Sequence, residues 1–330
     1  MAASVVSQKH ALDQALAQIR QNFTLADKYL AHERSQPIAR EIGTGTDYIF
    51  EIVTRNLLVP GFFEQTRINP VLRLVIADEA GFSFMFHGWM PLPNRDTDTT
   101  HQSIHHHGNL LLSTYSAFGP GYESIVFEKG YTINPDTRET DMKVSKMYKN
   151  KLGMMEFIDA DTPHVVFYPP QFSVTLPLWS MNSERKIDTL KKIPFLNSIK
   201  KPIANALRTI GLSKSLGLNA VESLDFYPQN GRVYSLKERV MYGKGTQANH
   251  VQNIFHMLQL LGYRNEAVIH SATANLPPET EKIVRPWANA FLNNQTIADA
   301  FEPEHLNVQH VNFSRKELQK CFPQIRDRFE

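Results

Sequence analysis

The chain has 330 residues, 42% hydrophobic and 21% charged, enough to bury a substantial core as one large domain or two ordinary ones. Its 35 basic and 33 acidic residues leave a net charge of +2, which excludes the lopsided charge of a typical nucleic-acid binder. A single cysteine, Cys321, excludes an internal disulfide framework and a cysteine-rich zinc site. No apolar run approaches the roughly 18 residues of a membrane span. Met1–His10 lacks the pattern of a secretory signal, so a soluble, cytoplasmic protein is expected.

Helix is predicted from about Val5 to Glu33, because Ala11, Leu12, Ala15, Leu16, Ile19 and Phe23 recur at helical spacing. A second helix is predicted over Asp47–Leu58, with Ile49, Phe50, Val53 and Leu57 on one side and Pro60-Gly61 ending it. From Val71 the period shortens. Runs rich in β-branched and aromatic residues follow: Val71–Ala77, Phe82–Trp89, Leu110–Phe118, Tyr122–Phe127, Met154–Asp159, His164–Tyr168 and Phe172–Ser180. Turn residues such as Gly119-Pro120-Gly121 and Asn134-Pro135-Asp136 separate them. Short strands at this spacing predict an all-β sandwich or barrel.

The stretch Arg185–Lys214 sets Lys186, Lys191, Lys192, Lys200, Lys201 and Arg208 beside apolar residues. Such a segment can lie on an anionic membrane or cover a site as a lid, although the ordinary reading is a helical insertion with a solvated cationic face. Asn230-Gly231 predicts a hairpin, and helix resumes from Gln247 until Gly262. The expected organisation is α+β: helices over 1–70 packed on a barrel over 71–242, with a basic insertion near 183–215, then a helical region over 243–330. Gly243-Lys-Gly245 lacks the ending of a phosphate loop, and no Gly-x-Ser-x-Gly nucleophile elbow occurs.

The chemistry concentrates in His101-Gln-Ser-Ile-His105-His106-His107-Gly-Asn109. On a strand, His105 and His107 share one face and His106 takes the other. Two imidazoles so spaced reach one ion, and a third ligand from a neighbouring strand leaves coordination positions open for substrate. His164, where a turn enters Val165-Val166-Phe167-Tyr168, is the leading third ligand; Glu123 and Glu128 are alternatives that spacing leaves open. His87 is expected opposite Phe84 and Phe86, as a partner of the site or a packed core residue. His101 and His106 are expected in solvent near the mouth. If its strand is regular, Tyr115 shares a face with His105, His107, Asn109 and Ser113 and brings a phenol to the pocket.

Phe82-Ser-Phe-Met85-Phe-His-Gly-Trp89 followed by Ser103-Ile104-His105-His106-His107 resembles the thiol dioxygenases, the cysteine dioxygenase branch of the cupins. Phe157-Ile158-Asp159, His164 and Val174-Thr175-Leu176-Pro177-Leu178-Trp179-Ser180 continue the resemblance, which covers roughly 72–182, about a third of the chain. It implies a cupin-type antiparallel barrel with iron(II), or another divalent transition metal, on His105, His107 and His164. It also implies dioxygen chemistry on a small molecule, with Arg73 gripping an acidic group through its planar fork. The departures are informative. Where the family carries serine, histidine and tyrosine, this chain has Thr175, Pro177 and Trp179, which implies a more hydrophobic pocket and a substrate other than a simple thiol amino acid. The expectation is a metal-dependent oxygenase or oxidase. The alternatives are a cupin using its metal as a Lewis acid for isomerisation or hydrolysis, and a non-catalytic ligand-binding cupin.

Overall fold

The computed structural model describes residues 2–65, 71–90, 98–182, 224–237, 246–298, 300, 309–327 and 329. The basic stretch 185–214 and the Gly243-Lys-Gly245 segment lie outside them.

Three N-terminal helices come first: α1 (Ala2–Asn22), α2 (Lys28–Thr44) and α3 (Thr46–Leu57). The single helix expected to Glu33 is therefore two. Asp27 takes extended backbone and its side chain accepts from the Leu30 N–H, so it caps a new helix after a short turn. The apolar stripe of α1 continues to Phe23, beyond the break, which is why spacing alone read through it.

Among the described residues thirteen strands follow, and every paired neighbour is antiparallel. One sheet has the order β1-β2-β11-β4-β9, formed by Val71–Asp78, Ser83–Trp89, Ser173–Met181, Leu110–Phe118 and Met155–Ile158. The other has the order β6-β7-β13-β12-β3-β10-β5-β8. Its strands are Thr132–Ile133, Glu139–Asp141, Arg232–Ser235, Asp225–Gln229, Ile104–His105, His164–Val166, Glu123–Phe127 and Val144–Lys149. Together the sheets curl into a near-barrel around a shared cavity, a cupin-type arrangement. Asn230 and Gly231 both take positive φ, at 50° and 78°, as the two-residue turn joining β12 to β13 requires.

Alternation gives each sheet two different faces. Along β11, Val174, Leu176 and Leu178 are fully buried against the helices, with Phe84 and Phe86 of β2 beside them. Thr175, Pro177 and Trp179 point the other way, into the barrel. The helices α4 (Gln247–Leu260), α5 (Glu266–Thr273) and α6 (Pro278–Leu292) add Ile254, Phe255, Leu258 and Val284 to that helical layer. The outer face of the second sheet, carrying Ile104, Ile125, Val165 and Phe226, is covered by Phe313, Leu318 and Phe322 on and around α7 (Arg315–Cys321). The central strands β11, β4, β3 and β10 are thus covered on both faces, whereas β1, β6, β7 and β8 leave residues exposed.

Arg315 fastens the C-terminal cover to the barrel. It is 2% exposed, pairs with Asp98 at 3.1 Å and with Glu123, and lies over the Phe167 ring at 4.1 Å. Glu123 is therefore committed to an ion pair and Glu128 is exposed, which removes both alternatives to His164 as metal ligands.

Candidate metal centre

The three-histidine cluster forms where β3 meets β10. His164 is paired directly with His105, and His107 lies two residues past His105 on the same side. One nitrogen from each ring lies within 4.8 Å of those of the other two. His105 and His164 are buried and His107 is half-buried. Backbone carbonyls settle two of the tautomers. His105 Nδ1–H donates to Ser103 O at 2.8 Å and His164 Nδ1–H donates to Thr162 O at 3.1 Å, leaving each Nε2 with a lone pair. Burial pushes the His164 imidazole down to about 4, so it is a neutral donor at neutral pH. Three imidazole nitrogens converging on one point, two of their rings fixed by outer-nitrogen hydrogen bonds to backbone carbonyls, suit a divalent transition metal.

His106 turns to the other side. Its Nδ1 accepts from the Gly108 N–H at 3.0 Å and its Nε2 meets the Tyr131 hydroxyl at 3.1 Å. It is buried, so its expected place in solvent is corrected, as is that of His101, which is buried on the cavity wall.

The cavity is about 90 Å³, room for about three waters. Besides the three histidines it is lined by Arg73, His87, Thr175 and Trp179, and by groups that sequence reasoning did not single out: Gln102, Tyr122, Tyr148 and Glu156. Arg73 is solvent-exposed at its rim, opposite His87 in the β1–β2 pairing. The Trp89 indole N–H donates to Thr175 Oγ1 at 2.9 Å, which uses the threonine hydroxyl to hold β2 and β11 side chains together. Trp179 stands edge-on to His107, with ring centroids 4.5 Å apart. The Gln102 amide N–H donates to Nε2 of His105 at 2.5 Å, the nitrogen that would carry the ion. Burial raises the Tyr122 phenol to about 12 and holds the Tyr148 phenol well above its usual value, so both stay protonated donors. These polar groups are set into a lining whose accessible surface is mainly apolar, in keeping with Pro177 and Trp179.

Tyr115 is not part of this cavity. It packs among the helices, where a Cβ on Gly43 of α2 would lie 2.3 Å from its ring. The expectation failed because the strand is not continuous from His107. Residues 106–109 leave the ladder, Gly108 takes φ 56°, and β4 resumes at Leu110 with the opposite parity. Leu112 and Thr114 consequently face the cavity, while Ser113 and Tyr115 face α2. The polarity of Glu156, Tyr122 and Tyr148 carried no spacing signal, because they reach the cavity from three different strands and turns.

No protein-family model matches the sequence, and neither does any curated protein sequence. Among solved structures, a DMSP lyase structure matches at 12% identity over 31% of this chain and 40% of that one, with a TM-score of 0.19. The DMSP lyase DddQ from Ruegeria pomeroyi DSS-3 matches at 12% identity over 36% of this chain and 53% of that one, with a TM-score of 0.23. A cupin superfamily protein from Desulfitobacterium hafniense DCB-2 matches at 8% identity over 36% and 83% of the respective chains, also at 0.23. The chain thus spans about half or less of the DMSP lyases it matches. Scores this low carry nothing about relationship, and the cupin-type arrangement is defined by the strand topology itself. No helix among the described residues is long and apolar enough to cross a membrane.

Proposed function

We propose that this chain is a metal-dependent oxygenase or oxidase holding iron(II) on His105, His107 and His164 and acting on a small molecule with dioxygen. The observation that carries this reading is the convergence of three imidazole nitrogens within 4.8 Å at the wall of a cavity. Three neutral ligands leave a divalent ion its charge and open coordination positions, where iron(II) supplies redox chemistry toward dioxygen. Other divalent transition metals suit the same donors.

The surrounding residues take separate tasks. Arg73, at the rim, receives an acidic group of the substrate in its planar fork. Thr175 fixes Trp89, and Trp179 holds the His107 ring edge-on while keeping water from that side. Pro177 and Trp179 occupy the positions of the thiol dioxygenases' histidine and tyrosine, which supports a substrate other than a simple thiol amino acid. Tyr115, packed under α2, is left with a structural task.

The test is metal analysis of anaerobically purified protein, with oxygen uptake measured against a panel of amino acids and fatty acids. One iron per chain, lost in His164→Ala, is the expected result. Absence of stoichiometric metal, or metal content unchanged in that variant, overturns the reading. Stoichiometric metal without oxygen uptake on any substrate that turns over reassigns the ion to Lewis-acid chemistry.

A further inference from the structure

β9 is the last strand of the five-stranded sheet and β8 the last of the eight-stranded sheet, so the barrel wall has a seam between these two edges. Lys146 of β8 and Glu156 of β9 bridge it at 2.8 Å. Glu156 is paired with Thr114 of β4, and both line the cavity. Tyr148 lies two residues from Lys146, on the same side of β8 by alternation, and lines the cavity as well. The Lys146 ammonium sits over the Tyr148 ring, 4.7 Å from its centroid.

The two partners of this ion pair are unequally placed. The Glu156 side chain is only 12% exposed, whereas that of Lys146 is half exposed. A carboxylate so withdrawn from water keeps a cation beside it, because burying its charge unpaired is costly. The lysine is under no such constraint: its ammonium is readily hydrated at the end of a flexible four-carbon stem. Swinging that stem into solvent costs little, as long as another cation takes over the carboxylate. The face of Tyr148 attracts whichever cation lies on it. Carboxylate and ring together define a place for one compact ammonium group. The adjoining space of about 90 Å³ has room for a short chain of about three heavy atoms.

We propose that Glu156 and the face of Tyr148 form a cation subsite of the cavity for a primary ammonium group, and that Lys146 fills it until a ligand ammonium displaces it. The exchange is one ammonium for another. No charge is left unpaired in the wall, and the displaced lysine passes to solvent. Lys146 therefore competes with the ligand and sets how tightly it binds. Ligands of the cavity are accordingly short primary amines, and neutral molecules of the same shape leave the lysine in place. That such an amine is also the substrate rests on the metal reading above; the subsite itself does not.

Ethylammonium chloride is the probe, titrated at constant ionic strength into the metal-free full chain labelled with carbon-13 tyrosine. The Tyr148 ring signal, assigned through Tyr148→Phe, is followed by NMR. Saturable shifts in the millimolar range are expected for a ligand this small, and ethanol should produce none. Glu156→Gln should weaken ethylammonium about tenfold, whereas Lys146→Met should tighten it several-fold. Damage to the fold would weaken binding in both variants, so the opposite signs distinguish a ligand subsite from a merely structural ion pair. Weaker binding in Lys146→Met, binding indifferent to Glu156→Gln, or an equal response to ethanol overturns the proposal. So does the absence of any response to ethylammonium in both wild type and Lys146→Met. Protein that binds ethylammonium in this way but takes up no iron counts against the metal reading alone and leaves the subsite standing.

Discussion

His164 stands directly opposite His105 across the β3–β10 pairing, with the two ring centroids 4.4 Å apart. One backbone register therefore builds two thirds of the candidate metal centre, and His107 joins it from two residues later, just past the end of β3. Each of the two rings donates from Nδ1 to the carbonyl two residues before it, so the same local geometry orients both.

Alternation makes neighbouring histidines behave differently. His107→Ala should abolish stoichiometric metal binding, measured by mass spectrometry of the purified protein. His106→Ala should retain the metal. Its cost should instead be about 1–3 kcal/mol of stability in urea, because the half-buried Tyr131 hydroxyl and the buried Gly108 N–H lose their partner. Equal metal loss in both variants would contradict the parity described here.

His32 on α2 predicts a pH dependence of stability. It is 1% exposed and bridges Ser113 at 2.8 Å and Ser180 at 3.0 Å, tying the helix to β4 and β11. Burial pushes it down to about 4. The unfolded chain then binds a proton that the folded chain refuses, so the contribution is complete above about pH 6.5 and is lost as pH falls toward 4. The loss should be about 3 kcal/mol, read as the difference in pH dependence between wild type and His32→Gln in denaturant titrations. Parallel curves for the two proteins would be the contrary result.

Gly43→Ala should destabilise although alanine is the better helix former. The added Cβ would sit 2.3 Å from Cδ1 of Tyr115, a ring with no room to retreat at 2% exposure. Overpacking of this kind costs about 1–3 kcal/mol, against a propensity gain of about 1. A double variant with Tyr115→Leu should recover part of the loss in thermal unfolding.

Arg315→Met should cost about 3 kcal/mol or more, because it strands the Glu123 carboxylate, whose side chain is only 12% exposed. Urea titration measures the loss. Replacing Glu123 with Gln in the Arg315→Met background should recover part of it, since no buried charge then remains unpaired.

Local pattern determined a great deal of this protein. The period-two runs placed most of the main strands within a residue or two, Asn230-Gly231 placed its hairpin, and His105-x-His107 placed two histidines of the cluster on one side, because alternation and turn conformation are properties of a few neighbouring residues. Tertiary structure decided the rest. Glu123 went to Arg315, 192 positions away, and Tyr115 went to the helices because Gly108 reset the strand's parity. His101 met Tyr168, and Glu156, Tyr122 and Tyr148 came together around the cavity, through pairings between distant strands. Such contacts depend on register and on which sheet face is covered, and neither is written in the spacing of any one segment.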